Sequence, residues 1–263
     1  MFGHLFKTSC QNIRKCSVIA NSKNGVLQIT LNRPKVKNAF TWNLYEEVAT
    51  QFENANNNLK IGAVSLTGTG NFFTSGMDLN DVITMVQNSN PVEAKSNVGK
   101  INRLFAAIIN LDKPFILLAN GSGVGLGMTI LGLADFVIAK SNARFYGPFL
   151  KRGICPEVAS TFSFSHVMGQ ARANRYLLFG ESFTAEEGLK NGLISRIVRD
   201  DESFEKVSND YLERLTSLPF DTMSESIKLI RSHVRSQLHQ ANNAECETLY
   251  QCFLLGKLRF SFS

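Results

Sequence analysis

One glutamate and two glycine-rich segments are the residues of this chain whose types and spacing could do chemistry. Glu157 lies in an otherwise uncharged stretch, residues 155–160, and the glycine segments lie upstream at residues 74–78 and 120–127. Glycine lets a backbone turn sharply and approach a ligand, so such loops can aim N–H groups at a developing oxyanion. A carboxylate beside them could move a proton. The set predicts carbanion or enolate chemistry that needs no metal.

Each of these signals also has an ordinary explanation when it is taken alone. Residues 123–127 could cradle a dinucleotide pyrophosphate, but their pattern is G-x-G-x-G and no βαβ unit opens the chain. Glu157 could be a surface carboxylate at the start of a helix, where the helix dipole favours a negative charge. The combination of the three features, and not any one of them, therefore favours a catalytic site.

The composition is typical of a globular protein and limits the classes of partner. The 263 residues are 44% apolar and 19% charged, which is enough for one large domain or two small ones. The net charge of +6 comes from scattered Lys and Arg residues with no basic cluster, so we expect no nucleic-acid partner. The main apolar runs, residues 114–119 and 123–134, are too short to cross a bilayer, so we expect no membrane span.

The cysteines and the two ends of the chain bear on its location. The five cysteines are odd in number and lack the spacing of a zinc site, which predicts reduced thiols, no metal and an intracellular protein that is not secreted. Residues 1–15 form a basic tail that is similar to a mitochondrial transit segment and equally fits a frayed terminus. The final Ser261-Phe262-Ser263 is not the Ser-Lys-Leu peroxisomal signal.

Apolar patterns predict alternating strands and helices through the first half of the chain. Leu27, Ile29 and Leu31 alternate with polar residues, which indicates a half-buried strand. Thr41 is a candidate cap for the helix that follows. The predicted strands cover residues 26–31, 61–67, 114–119 and 136–139, and the predicted helices cover residues 42–54, 98–111 and 124–133. Ligands of α/β sheets bind beyond the carboxyl ends of strands, which is where both glycine segments lie.

The chain becomes helical after Thr184. Residues 184–187 have the sequence of a capping box, and the Asn-Gly pair at residues 191–192 would end the helix that it starts. One polar helix then carries apolar residues at helical spacing, namely Met223, Ile227, Ile230, Val234 and Leu238. This stripe could pack on the domain or contact another subunit, and its spacing fits both. The predicted fold class is therefore α/β with a C-terminal helical region.

Further motifs follow one another in a fixed order along the chain. They are Leu-Asn-Arg-Pro at residues 31–34, Lys-Asn-Ala-Phe at 37–40, the segments 73–79, 120–127 and 143–145, Gly153, and the segments 179–189 and 192–194. As an ordered set they resemble the crotonase (enoyl-CoA hydratase/isomerase) superfamily over roughly residues 17–198. The resemblance implies a crotonase-like ββα spiral core over residues 16–198. The tail of residues 1–15 would precede it, and a helical region, residues 199–263, would follow as a candidate oligomer contact.

Within this superfamily the chain is most similar to the peroxisomal-type 3-enoyl-CoA to 2-enoyl-CoA isomerases, which carry a Pro-Glu pair like Pro156-Glu157. The resemblance implies that Glu157 is the catalytic base and that the N–H groups of Met77 and Leu126 form the oxyanion hole. Apolar neighbours would raise the pKa of Glu157. The residues that the resemblance implies for holding the CoA arm are Lys35, Lys37, Asn38, Ala39, Ser75, Gly76, Met77, Asp78, Leu79, Gly125 and Leu126.

The departures from the superfamily narrow the expected reaction. Its hydratases use two glutamates, and the matching positions here hold Thr129 and Phe149, neither of which can transfer a proton. Water addition needs one group to activate water and another to protonate carbon. A double-bond shift needs one carboxylate, and Glu157 is the one acid that the sequence places there. We therefore expect isomerisation of a 3-enoyl thioester to the 2-trans form in β-oxidation of unsaturated fatty acids.

The sequence leaves other activities open and indicates the expected substrate and partners. A non-catalytic crotonase-fold protein that binds acyl-CoA or acts as a scaffold stays open, as do hydration and thioester hydrolysis. We expect an acyl-CoA thioester as substrate and no separate cofactor, because coenzyme A is part of that substrate. The resemblance also implies a homo-oligomer, a trimer or hexamer, in the peroxisome or the mitochondrial matrix.

Overall fold

Two β-sheets and ten α-helices make up residues 16–259, the part of the chain that this computed structural model describes. The basic tail predicted over residues 1–15 lies outside the described residues, as do residues 260–263. In chain order the strands are β1 (Val18–Lys23), β2 (Val26–Leu31), β3 (Ala63–Gly68), β4 (Phe72–Thr74), β5 (Phe115–Ala119), β6 (Ser122–Val124), β7 (Phe136–Lys140), β8 (Arg144–Tyr146), β9 (Phe183–Thr184) and β10 (Arg196–Val198).

The helices surround these sheets and account for most of the second half of the chain. In chain order they are α1 (Trp42–Asn57), α2 (Leu79–Asn88), α3 (Pro91–Ile109), α4 (Leu126–Thr129), α5 (Ser160–Met168), α6 (Gln170–Leu177), α7 (Ala185–Lys190), α8 (Phe204–Thr216), α9 (Phe220–Ser232) and α10 (Arg235–Leu254). Short 3-10 turns cover Pro34–Val36, Ile130–Leu133 and Leu150–Arg152.

The larger sheet has six strands in the order β1-β2-β3-β5-β7-β10, and β1 alone runs antiparallel to its neighbour. Every residue of β5 is buried, as expected for a central parallel strand covered on both faces. The smaller sheet has the order β4-β6-β8-β9. All four predicted strands are present: β2 has the predicted bounds, and the ends of the other three are shifted by one or two residues. The predicted α/β fold class is therefore confirmed.

The core lies on both faces of the larger sheet. Alternate residues of β5 point to opposite faces, so Phe115 and Leu117 join the main cluster under α1, α3 and α10. Ile116 and Leu118 join a second cluster, which Leu212 of α8 covers on the other face. The helical region after residue 199 thus packs on the same sheet as the rest of the chain.

Helix ends agree with the predicted caps in two places. The Thr41 hydroxyl accepts the N–H of Leu44 at 3.3 Å and starts α1. At α7 the Thr184 hydroxyl accepts the N–H of Glu187, and the Glu187 carboxylate accepts the N–H of Thr184 in return. Both orphan donors of that helix start are satisfied, so the predicted capping box is confirmed.

The structure differs from the predicted helices in three places. The helix predicted from residue 98 begins at Pro91, because the Asn90 side chain caps it and proline suits the first helical position. Helix α2 was not predicted, although Asp78 caps it. The helix predicted over residues 124–133 is divided among β6, α4 and a 3-10 turn. In each case a local cap or a glycine decides the boundary.

The prediction that five apolar residues form one stripe on a single C-terminal helix is wrong. Helix α9 ends at Ser232 and α10 begins at Arg235, so Val234 and Leu238 belong to a different helix from Met223 and Ile227. Met223 and Ile227 are buried, whereas Ile230 is 65% exposed. Packing on the domain therefore accounts for only part of the pattern.

The cysteines and the search for spans and metal sites can be judged over residues 16–259. Cys155, Cys246 and Cys252 are free thiols, whereas Cys16 is disulfide-bonded, so the prediction of reduced thiols is wrong for Cys16. Within this range no helix is long and apolar enough to cross a membrane. The same residues contain no cluster of three or more His, Cys, Asp or Glu side chains that could hold a metal ion.

A glycine at the exit of β5 tests how tightly the strand ends are packed. A Cβ on Gly121 would overlap the carbonyl oxygen of Asn71, which is backbone and cannot swing aside. We expect Gly121→Ala to lower the free energy of unfolding by about 2–3 kcal/mol in urea titrations. Gly99→Ala is the matched control, because nothing lies within 4 Å of that site in α3 and alanine favours helices. Equal stability of the two variants would contradict this packing.

Candidate active site

The two glycine segments are neighbours because the strands that lead into them are paired. β4 and β6 run parallel, with Phe72 opposite Ser122 and Thr74 opposite Gly123. Parallel strands end at the same edge of a sheet, so the turns that follow them meet there. The structure thus brings together the two loops that the sequence singled out.

Gly76 packs closely against the second loop. Gly76 has φ 82°, in the left-handed region that favours glycine, and a Cβ there would lie 2.7 Å from the carbonyl oxygen of Val124. A Cβ on Gly125 would lie 3.9 Å from the Cα of Gly76. Any side chain at residue 76 would therefore push the loops apart.

The N–H of Met77 is directed away from the backbone ladder that holds its loop. Phe40 forms a parallel bridge with Met77: its N–H donates to Gly76 O at 2.8 Å, and its carbonyl accepts from Asp78 N at 2.8 Å. In such a bridge the central residue turns its own N–H and C=O to the other side. The loop geometry thus leaves the Met77 N–H available to a ligand.

A salt bridge fixes the loop that carries Met77. Arg33 Nη1 donates to Asp78 Oδ2 at 3.0 Å and also contacts the carbonyl oxygen of Ala39. The Asp78 side chain in turn accepts the N–H of Asn80 and caps α2. One arginine therefore connects the segment between β2 and α1 with the start of α2. Met77 lies immediately before Asp78, the residue that the arginine holds.

Leu126 is the first residue of α4, and the start of a helix leaves its first N–H groups without intrahelical partners. Gly125 precedes it with φ 57°, and its carbonyl accepts the N–H groups of Met128 and Thr129. The Leu126 side chain is fully buried, so its backbone is held from behind. The Leu126 N–H is thus a second fixed donor at the same edge.

Glu157 lies against this second loop and is buried, with 5% of its surface exposed. Its Oε1 is 3.5 Å from where a Cβ on Gly125 would be. Burial, and then the charge of Glu245, raise the pKa of Glu157 to about 8, while the N–H of Leu126 opposes the rise. The expected raised pKa is confirmed, and the alternative of an exposed surface carboxylate is wrong.

Thr129 and Phe149, at the two positions where hydratases carry glutamates, serve to pack the fold. Thr129 is buried and its hydroxyl donates to the carbonyl of Gly125 at 3.2 Å. Phe149 is 1% exposed and belongs to the main core cluster. Neither side chain titrates, so neither can supply the second proton-transfer group of a hydratase.

The residues predicted to hold the CoA arm fall into two groups. Lys35, Lys37 and Leu79 are exposed at the rim, and Ser75 is half-buried beside them, donating its N–H to the carbonyl of Lys37 at 2.9 Å. The buried or half-buried remainder forms the walls: Asn38, Ala39, Gly76, Met77, Asp78, Gly125 and Leu126.

Asn38 differs from the role that the resemblance implies for it, because its side chain is completely buried. Its Nδ2 donates to the carbonyls of Thr69, Phe72 and Phe73 at 2.9–3.0 Å, and its Oδ1 accepts the N–H of Arg33. The Asn38 amide therefore holds the loop in shape and is not free to contact a ligand.

Glu245 is a residue of the site that was not predicted from the sequence. This glutamate is 5% exposed, reaches the site from α10, and acts electrostatically on Glu157. The expectation that Glu157 has no acidic neighbour is therefore wrong. Asn242, Glu245, Cys246 and Leu249 are buried at helical spacing, and this period was the one signal in the sequence that could have placed Glu245 on an inner face.

The fold and this site define a member of the enoyl-CoA hydratase/isomerase family, to which the chain belongs: the family model matches residues 21–259. The chain is 34% identical to enoyl-CoA delta isomerase 2 of Rattus norvegicus over 234 residues, 88% of this chain and 59% of the rat protein. It therefore spans about three fifths of that relative's length.

Two further relatives agree with this assignment. The chain is 34% identical to the peroxisomal enoyl-CoA delta isomerase 3 of Mus musculus over 230 residues, 87% of this chain and 71% of the mouse protein. A solved enoyl-CoA hydratase/isomerase from Pseudoalteromonas atlantica superposes with a TM-score of 0.81 at 31% identity, covering 94% of this chain and all of that one. The predicted crotonase-like core is therefore confirmed.

The raised pKa of Glu157 predicts a pH-dependent stability. Its pKa is about 8 in the folded state against 4.5 ordinarily, so the folded chain holds this proton more tightly. The resulting stabilisation is complete below pH 4.5 and is lost as the pH rises through 8. We expect Glu157→Gln to be close to the wild type at pH 5 and to exceed its free energy of unfolding by on the order of 4 kcal/mol at pH 9.

The measurement is urea denaturation at both pH values, with Glu213→Gln as the control for a change at an exposed glutamate of α8. That control should follow the wild type throughout. A Glu157→Gln variant with the same pH dependence as the wild type would contradict the burial of an ionisable carboxyl at this position.

Proposed function

We propose that the protein is an isomerase that converts 3-enoyl-CoA to 2-trans-enoyl-CoA. The observation that carries the proposal is the placement of one buried carboxyl, Glu157, against the loop that presents the Leu126 N–H at the start of α4. The isomerase names of the rat and mouse relatives support the same reaction. The reaction belongs to β-oxidation of unsaturated fatty acids.

The chemistry requires one proton to leave C2 and one to arrive at C4. The Glu157 carboxylate takes a proton from C2, and the released electron pair spreads over the thioester oxygen and the C3–C4 double bond. This dienolate then accepts the proton from the Glu157 carboxyl at C4, which leaves the double bond between C2 and C3. Atoms and charge balance with no water and no second acid, as a pKa of about 8 for the base allows.

The N–H groups of Met77 and Leu126 are proposed to bind the thioester oxygen while it carries the negative charge. Both belong to turns whose backbone is already fixed by Asp78, Phe40 and the start of α4. Donors that need no rearrangement stabilise a developing oxyanion most, and the loss of one such donor typically costs about 3–4 kcal/mol. The glycine turns therefore provide the site with preorganised charge stabilisation.

The CoA arm is proposed to lie along the exposed rim beside the Met77 loop. Lys35 and Lys37 are the exposed cations there, and the Nζ of Lys37 lies 5.3 Å from the centre of the Phe72 ring. Phosphate groups of coenzyme A would find positive charge at this edge and no acidic side chain among residues 34–37. No separate cofactor is part of the proposed reaction.

We also propose that several copies associate, as a trimer or hexamer, in the peroxisome or the mitochondrial matrix. Leu229 and Ile230 of α9 are 69% and 65% exposed, and Phe179 is 74% exposed, which supports an apolar contact with another copy. The peroxisomal name of the mouse relative supports the first location. Light scattering that gives the mass of a single chain would contradict the association.

An assay with two substrates tests the proposed reaction. We expect the wild type to convert 3-hexenoyl-CoA to the 2-trans isomer and to add little water to 2-hexenoyl-CoA. Glu157→Gln keeps the shape of the site but cannot take a proton, so kcat should fall by at least about 10³-fold while acyl-CoA binding changes little.

The assay is followed by ultraviolet absorbance of the conjugated thioester and by mass spectrometry of the products, with Glu213→Gln as the control. If hydration or hydrolysis is the main reaction, the proposed isomerisation is wrong and the protein has another activity of the family. A wild type that binds acyl-CoA and turns over none of these substrates would identify a non-catalytic binding protein.

A further inference from the structure

A second buried carboxyl stands close to Glu157 and has no role in the proton shuttle described so far. Glu245 and Glu157 are each 5% exposed, and the Oε2 atom of each has no hydrogen-bond partner among the described residues. A buried carboxyl oxygen without a partner is costly, and so is a second carboxyl beside it. Two such oxygens at one site therefore need a physical explanation.

The other oxygen of Glu245 is firmly held by the helix that follows Glu157. Oε1 accepts the N–H of Thr161 at 2.9 Å and the Thr161 hydroxyl at 2.6 Å. Thr161 is the second residue of α5, and the residue that precedes this helix, Ala159, offers no side chain to cap it. Glu245 thus supplies the missing cap from α10, and its negative charge suits the start of a helix.

The turn between Glu157 and α5 depends on such support. Val158 and Ala159 have φ 69° and 52°, in the left-handed region that a β-branched residue such as valine rarely adopts. Two consecutive residues of this kind persist only where the surroundings hold them. Both side chains are buried in the main core, which holds the turn itself, and Glu245 holds its exit.

The remaining titratable neighbours stay neutral near physiological pH. Burial raises the pKa of Cys155, which Cys252 also influences, and of Cys246 to about 12, and burial and the charge of Glu157 raise the pKa of Tyr45 from α1. Burial raises the pKa of Glu245 to about 7, although its bonds to Thr161 oppose the rise. Glu245 is therefore the neighbour whose charge changes in the range where Glu157 works.

We infer that Glu245 is a positioning residue for Glu157: it caps α5 through Thr161 and, when ionised, favours the proton-carrying form of the neighbouring carboxyl. The inference rests on the proposed isomerase function and assigns that site a second acid. Between its two proton transfers Glu157 must carry the proton taken from C2. A negative charge beside it stabilises the protonated form of Glu157 during that interval, without any contact between Glu245 and the substrate.

Two substitutions separate the cap from the charge. Glu245→Gln keeps an oxygen that can accept from Thr161 but removes the charge, so the acid limb of the kcat/KM profile should move to lower pH. Glu245→Ala removes both, so the limb should move in the same direction and kcat on the plateau should fall by roughly 10- to 100-fold because the turn loses its support. KM should change little in either variant.

Glu247→Gln is the matched control, since Glu247 lies on the same helix, is exposed and accepts from Gln251 at 2.9 Å. It should leave both the pH profile and kcat unchanged. If the acid limb stays in place in Glu245→Gln and in Glu245→Ala, Glu245 supports the fold alone and the inference is wrong.

A measurement without substrate separates this inference from the proposed function. The free energy of unfolding is compared between pH 6 and 9 for wild type, Glu157→Gln, Glu245→Gln and the double variant. Coupled carboxyls titrate as a pair, so the effect of Glu157→Gln should shrink in the Glu245→Gln background. Additive effects at every pH would overturn the coupling even if isomerisation is observed, and an inactive wild type with coupled effects would overturn only the proposed reaction.

Discussion

The approach of the Gly76 turn to the backbone of Val124 and Gly125 brings the site together. β4 and β6 pair side by side in the smaller sheet, so the separation of the two turns is set by strand pairing and not by loop chemistry. A side chain at residue 76 would meet the Val124 carbonyl at 2.7 Å. This contact places the Met77 and Leu126 turns side by side, with Glu157 beside Gly125.

The site is built at a cost in stability that the surrounding core offsets. A carboxyl with 5% exposure and two consecutive left-handed residues both oppose folding, the latter by on the order of 1–3 kcal/mol each. Val158 and Ala159 nevertheless stay in place because they belong to the main hydrophobic cluster. Helix α10 contributes to the same region, since Cys246 and Leu249 pack in that cluster and Glu245 caps α5.

Local sequence signals were sufficient where a single segment decides its own structure. The alternation in β2, the Thr41 cap and the capping box at Thr184 are properties of a few neighbouring residues, and each was predicted correctly. The two glycine loops were singled out by residue type and spacing, and strand pairing brings them together as expected. The direction of the Met77 N–H could be justified only from its bridge to Phe40.

The sequence was insufficient where distant segments meet. Glu245 lies on a largely polar helix, and its burial depends on how α10 packs against α5 and α3. Asn38 belongs to one of the family motifs, but its side-chain amide points inward and donates to three carbonyls of other segments. The left-handed turn at Val158 contains no glycine, so the sequence gives no signal for it. Each of these depends on tertiary contacts, and only for Glu245 does a local pattern, the helical spacing of its buried neighbours, point to the inner face.

The transfer of a deuterium label from C2 to C4 of the substrate tests whether one buried carboxyl moves the proton within one molecule. 3-Hexenoyl-CoA with deuterium at both C2 positions is converted in ordinary water, and the product of the first turnovers is analysed by NMR and mass spectrometry. Because Glu157 is shielded from solvent, we expect deuterium at C4 in a substantial fraction of the product. Product whose C4 carries only solvent hydrogen from the first turnovers would contradict it.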